Sequence, residues 1–224
     1  MIALNRRRYM GGGGVAPFPE GYIQDGLFFH LDGADCNGST WADKISGKVL
    51  TKTGSDVTVA DGGVTFAGAS AFYSTEITVP SQATGTIELV YITNSTGGYQ
   101  YMLVYSSDSS GICYSYNCNS KTVWIKPSTS PGRGGFITGS VFVQSLTSGI
   151  NYVNGTKITT TSGNVNRTGG YCFSVGACIT NSSLARDRSS SGTLYQLRIY
   201  NRQLTEAEII HNQQVDMAKY NIVA

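Results

Sequence analysis

The chain has 224 residues, enough for one large domain with a continuous core, and an all-β sandwich of this length is commonly a single unit. Charged residues are only 13% of it, against roughly 25% in an average soluble domain, while glycines number 28 and tyrosines 14, a balance that favours strands and turns over surface helices. A net charge of +2 supplies no global field to recruit nucleic acid or a membrane surface, and no apolar run approaches the roughly 20 residues needed to span a bilayer.

Residues 1–20 read as an arm. Arg6, Arg7 and Arg8 are followed by Tyr9 and Met10, then by four glycines and by Pro17 and Pro19, a flexible joint with a stiffer exit. No apolar stretch follows the basic residues, so a secretory signal is not expected, and the chain is expected to be made in the cytosol of its producing cell. Three arginines on such an arm read first as a docking element against a protein surface. Phosphate or nucleic acid is the weaker reading, because the rest of the chain adds no continuous basic stripe.

Residues 21–224 form the expected globular domain. From Tyr22 onward short β runs alternate with turn chemistry, and ten strands are predicted, within 22–33, 62–68, 85–94, 99–107, 111–117, 121–127, 136–146, 150–160, 170–177 and 192–201. The Asn154–Gly155 pair predicts a two-residue hairpin turn, since both turn positions need positive φ. So many strands joined by tight turns imply an all-β, antiparallel two-sheet sandwich. Cys36, Cys113, Cys118, Cys172 and Cys178 form no C-x-x-C pair and are odd in number, which favours buried free thiols over disulfides, and both over zinc.

The chain closes on "LYQLRIYNRQLTEAEIIHNQ". Leu194, Gln196, Arg198 and Tyr200 alternate with Tyr195, Leu197, Ile199 and Asn201, which gives the last strand one mainly apolar face. Thr205, followed three residues later by Glu208, predicts a capping box at a helix start. Leu204, Ile209, Ile210 and Met217 are the expected buried side of this helix, as a clamp across one end of the sandwich.

This closing run resembles the terminal signature of the laminin-G-like, concanavalin A-like jelly rolls. "GLFFHLDG" with "WADKISGK", "GVTFAG", "NYVNGTKI" and "FSVGA" fit the same family in the same order, so the resemblance spans about residues 21–222. It implies a two-sheet antiparallel jelly roll, concanavalin A-like, with a concave face, a short C-terminal helix and, in this chain, an extended N-terminal arm. Relatives so resembled include glycan-binding modules, adhesion domains, glycan-cleaving enzymes and virion decorations, so function rests on the site. Many of them hold a calcium ion. Asp32, Asp35 and Asp43 lie close in sequence, but no Asp-rich loop with calcium spacing occurs, which leaves the metal undecided.

Glycanases of this resemblance carry Glu-x-Asp-x-Glu on a strand, which sets carboxylates on one face to flank a glycosidic bond. Here Glu88 is followed at the same-face positions by Val90 and Ile92, so the second carboxylate is missing. There is no Gly-x-Ser-x-Gly elbow and no His-x-x-x-His pair. His30 reads as structural, His211 as surface polar, and Trp41 as core. A non-enzymatic chain is expected.

The remaining candidates are aromatic. Tyr99, Tyr101 and Tyr105 alternate along one predicted strand, Tyr114 and Tyr116 along the next, and Trp124 lies on a third. Set side by side, they would form either part of the core or an oligomer interface, the first reading, or a platform on which sugar rings stack, the second. Combining the jelly roll, the arm and the missing secretory signal, the sequence suggests a bacteriophage virion protein assembled in the host cytoplasm. It would be anchored through Arg6 to Met10 on other virion proteins, homo-oligomeric, and able to display the jelly roll to a host-surface glycan. A free bacterial carbohydrate-binding module is the alternative, with a glycoside hydrolase behind it.

Overall fold

The computed structural model describes residues 21–55, 57–77, 85–93, 99–105, 112–117, 122–126, 132–133, 142–147, 150–159, 173–180, 183–189 and 191–222; in β8 to β12 and β17, defined next, it is the backbone pairing that is described. In chain order the strands are β1 (Leu27–Asp32), β2 (Thr40–Ala42), β3 (Val49–Gly54), β4 (Val57–Ala60), β5 (Gly63–Ala67), β6 (Ser70–Ser74), β7 (Thr86–Thr93), β8 (Tyr99–Tyr105), β9 (Ile112–Asn117), β10 (Thr122–Lys126), β11 (Gly132–Arg133), β12 (Phe142–Thr147), β13 (Ile150–Val153), β14 (Thr156–Thr159), β15 (Phe173–Val175), β16 (Ala177–Thr180), β17 (Ser183–Ser189) and β18 (Ser191–Tyr200). One helix, α1 (Glu206–Lys219), closes the chain.

Two antiparallel sheets result. The first runs β14–β13–β12–β7–β18–β5–β4, with β1 continuing beside β18 where β5 ends. The second runs β11–β10–β9–β8–β15–β6–β3–β2. A small β16–β17 hairpin lies against β8 and β6 of the second sheet.

Alternation sends one set of side chains from each sheet into a common core. Leu31, Val64, Leu89, Leu197 and Ile199 from the first sheet meet Leu50, Phe72, Phe173 and Val175 from the second. Phe29 packs edge-on to Phe173 at 5.0 Å and Trp41 edge-on to Phe72 at 5.5 Å, both favourable quadrupole geometries. The Trp41 indole nitrogen donates to the Asp32 carbonyl at 2.8 Å, which satisfies its one polar group inside the core.

The expected Asn154–Gly155 turn is present, with φ of 46° and 79° joining β13 to β14. Two expectations need correction. The strict alternation predicted for β18 breaks at a bulge: register shifts between Leu194 and Gln196, so Leu194 joins Leu197 and Ile199 in the core instead of sharing a face with Gln196. The helix does not clamp one end of the sandwich. It lies across the outer face of the first sheet, and its buried stripe is Ile209, Asn212, Gln213 and Asp216, while Ile210 and Met217 are only partly covered.

Candidate functional site

The stripe under α1 is polar because the strand face beneath it is polar. Register pairs Arg198 with Glu88 on one side and with His30 on the other, all on the outer face of the first sheet. The Arg198 guanidinium is fully buried; its Nε donates to Glu88 at 3.0 Å and its two terminal nitrogens hold Asp216 of the helix in a bidentate pair. Burial alone would push the arginine pKa down, but Asp216 and Glu88 outweigh it and hold Arg198 well above its usual value.

The neighbouring polar side chains of this layer are hydrogen-bonded as well. Asn212 donates to Glu88 and to the Tyr200 hydroxyl, each at 2.9 Å, and accepts from the Ile23 N–H at 2.9 Å. Tyr22 donates to Asp216 at 2.7 Å, and its ring lies 3.8 Å from the Arg198 guanidinium. Gln213 receives the Gly155 N–H and donates to the Tyr152 carbonyl, tying the helix to the β13–β14 hairpin. At the other end the Gln196 amide donates to the Tyr220 hydroxyl, so its carbonyl is what the His30 Nε2–H meets at 2.6 Å. Glu88, the strand carboxylate compared with the glycanase pattern, is therefore a buried partner of Arg198 and Asn212.

The outer face of the second sheet is different. β8 and β9 pair Tyr99 with Asn117 and Tyr101 with Ser115, then shift by one residue at Met102 and pair Leu103 with Tyr114 and Tyr105 with Ile112. Partners across an antiparallel ladder share a face, and the extra residue of a bulge flips the face of everything beyond it. Tyr99 and Tyr101 therefore occupy the opposite face from Tyr105. Trp124, which pairs with Ser115, falls with Tyr99 and Tyr101. Tyr114 and Tyr116 fall with Leu103 and Tyr105, whose partners on β15 are the buried core residues Val175 and Phe173. In backbone register Tyr105 is thus out of step with Tyr99 and Tyr101, which were expected to share a face, and the side chains of all six aromatics lie outside the described residues.

The family model of the concanavalin A-like lectin/glucanases superfamily, Laminin_G_3, matches residues 51–210. The chain belongs to this superfamily. Among solved structures, a Trypanosoma rangeli sialidase in complex with a difluorinated sialic acid analogue superposes with a TM-score of 0.63 at 18% identity, covering 87% of this chain but 33% of the sialidase. Domain 4 of AbnA, an extracellular arabinanase of Geobacillus stearothermophilus, in complex with arabinotriose, gives 0.59 at 17% identity, covering 84% of this chain and 98% of that one. The Ruminococcus gnavus IT-sialidase CBM40, bound to α2,3-sialyllactose, gives 0.53 at 13% identity, with 66% and 95% covered. These likenesses concern the fold, and the chain spans about a third of the sialidases. No curated protein matches in sequence.

Within this concanavalin A-like domain, the aspartates singled out for calcium do not make a metal cage. Asp43 accepts the N–H groups of His30, Ile45 and Ser46 and the Ser46 hydroxyl, which fills both its oxygens. Asp35 pairs with Lys44 at 2.9 Å, and Asp32 lies between Lys44 and Lys219. Among the described residues no group of three His, Cys, Asp or Glu could hold a metal ion. Cys36 is a buried free thiol whose pKa burial pushes up. His211 binds the Gly21 carbonyl through Nε2, which ties the first described residue to α1. Arg6, Arg7, Arg8, Tyr9 and Met10 lie outside the described residues. Sequence reasoning missed the Arg198–Glu88–Asp216 triad; its signal was an arginine and a glutamate each set among apolar residues of a predicted strand.

Proposed function

We propose that the domain is a non-catalytic glycan-binding module, carried on a docking arm. The observation that carries this reading is the burial of Glu88 in its ion pair with Arg198: the strand carboxylate a glycanase would need is fully enclosed beneath α1. With the first sheet covered by α1, the outer face of the second sheet beyond the β16–β17 hairpin is the candidate surface, and Tyr99, Tyr101 and Trp124 are assigned to it as the stacking residues. Further support comes from coverage. The chain spans 98% and 95% of two sugar-complexed single domains, but 33% of a sialidase. In this reading the chain needs no cofactor.

The arm, Arg6 to Met10, is assigned the role of seating the domain on other proteins of a virion assembled in a host cytoplasm, where display in several copies would raise avidity toward a host-surface glycan through effective concentration. A free carbohydrate-binding module is the second reading, favoured by the near-complete match to isolated binding domains. Glycan-array binding by the full chain tests the shared claim: retention of at least one glycan is expected, with Tyr101→Ala/Trp124→Ala weakening it. Failure to retain any glycan refutes both readings. Pull-down with and without residues 1–20 separates them, since only the tethered protein loses a specific partner on truncation.

A further inference from the structure

Beside the β16–β17 hairpin, the outer face of the second sheet carries a groove of about 600 Å³, within the size range of small-ligand sites. Its floor is β3 and β6, where Thr51 pairs with Tyr73, and Val49, Thr51, Tyr73 and Thr75 all belong to the outward set. Tyr73 is half-buried: one side of the residue packs with Ala71 and with Ala177 of the hairpin, and it lines the groove with Val49, which is 47% exposed. An aromatic ring beside an aliphatic group makes an apolar strip flanked by threonine hydroxyls.

The rim is preorganised. The loop from Asp43 to Lys48 is closed by backbone bonds from Asp43 N–H to the Lys48 carbonyl and from Gly47 N–H to the Asp43 carbonyl, with the buried Asp43 carboxylate capping its interior. Lys48 Nζ reaches across to donate to the Glu76 carbonyl at 2.7 Å, leaving two further N–H groups on the ammonium. A wall fixed before binding loses little conformational entropy when a ligand arrives.

Charge decides the ligand class. Among the groove's lining residues Lys48 is the one cation and Glu76 the one anion, so they cancel. A sugar hydroxyl both accepts and donates, and it can be served by both groups at once. A carboxylated sugar would gain from Lys48 and lose to Glu76. We propose that this groove is a saccharide subsite for uncharged sugars, with a ring laid on Tyr73 and Val49 and hydroxyls shared between Lys48 and Glu76. The inference rests on the glycan-binding reading and adds a second, charge-selective site to it.

The test is titration of the full chain with arabinotriose, xylotriose, cellotriose, mannotriose and α2,3-sialyllactose, followed by calorimetry and by thermal unfolding of each variant. At least one neutral trisaccharide is expected to bind at least ten-fold more tightly than sialyllactose. Tyr73→Ala and Val49→Asp are each expected to weaken it at least ten-fold, and Tyr73→Phe to retain it. Val49 is solvent-exposed, so its variant keeps the test valid should Tyr73→Ala unfold. Unchanged affinity in Val49→Asp, or preference for sialyllactose, overturns the groove; if Tyr101→Ala/Trp124→Ala alone abolishes binding, the groove falls while the glycan-binding reading stands. No binding to any of the five probes overturns the groove, and absence from a full glycan array as well overturns the parent reading.

Discussion

Arg198 sits fully buried between two carboxylates, which makes its replacement the most informative single change in the molecule. Arg198→Met leaves Glu88 and Asp216 as uncompensated buried anions, and chemical denaturation is expected to show a loss of about 3–5 kcal/mol. The triple change Glu88→Leu/Arg198→Met/Asp216→Leu removes the charges together and is expected to recover most of that loss, because the desolvation cost goes with the pair. At the helix start, hydrogen bonds from Arg202 hold the Glu208 carboxyl down to about 2, outweighing burial, which pushes the other way. A carboxyl with a lowered native pKa stabilises the fold above its unfolded value and ceases to do so as pH falls through the native one. Stability is therefore expected to decline between about pH 4.5 and pH 2 and the decline to be shallower in Glu208→Gln, as read by thermal unfolding across that range. Burial lowers the His30 pKa, outweighing the hydrogen bond to Gln196, so its imidazole is expected to stay neutral below the usual histidine range, checked by NMR titration.

At the scale of elements, the bulges matter more than any strand. The extra residue at Met102 puts β8 one residue out of step with β9, which breaks the simple alternation read from the sequence. Gly176 turns the chain from β15 onto the hairpin at φ 96°, and a Cβ there would stand 2.3 Å from the Phe66 ring, so Gly176→Ala combines backbone strain with overpacking. A loss of at least about 2 kcal/mol is expected. The capping box and the Asn154–Gly155 turn were legible in the sequence because each depends on residues within four positions. β4 was missed although Asp61–Gly62, with φ of 51° and 72°, is itself a hairpin signal; the strand beside it, Val57–Ala60, is short and largely exposed and lacks the alternation that marks a buried strand. Bulges at Met102 and Tyr195 leave no mark of their own, since a bulge is defined by the partner strand. The helix face was misread for a related reason: Asn212, Gln213 and Asp216 look like a solvent stripe until Arg198 and Glu88 are known to lie beneath them.

At the scale of the molecule, a helix and a buried ion network cover the outer face of one sheet, and the other carries the β16–β17 hairpin and a neutral groove at Tyr73. The fold class was legible, because the closing strand–helix run and four further segments occur in family order, although β2, β3, β4, β6, β11 and β17 lie outside the predicted strands. The site was legible only as a composition of aromatics, since their division between core and surface depends on register. In the proposed function the domain holds a sugar and leaves it intact. The most direct measurement is to incubate the full chain with a glycan that it retains on an array and to recover that glycan for chromatography and mass analysis. Retention with the glycan recovered uncut is the expected result. Release of shortened products, absent from a heat-denatured control, would contradict the non-catalytic assignment.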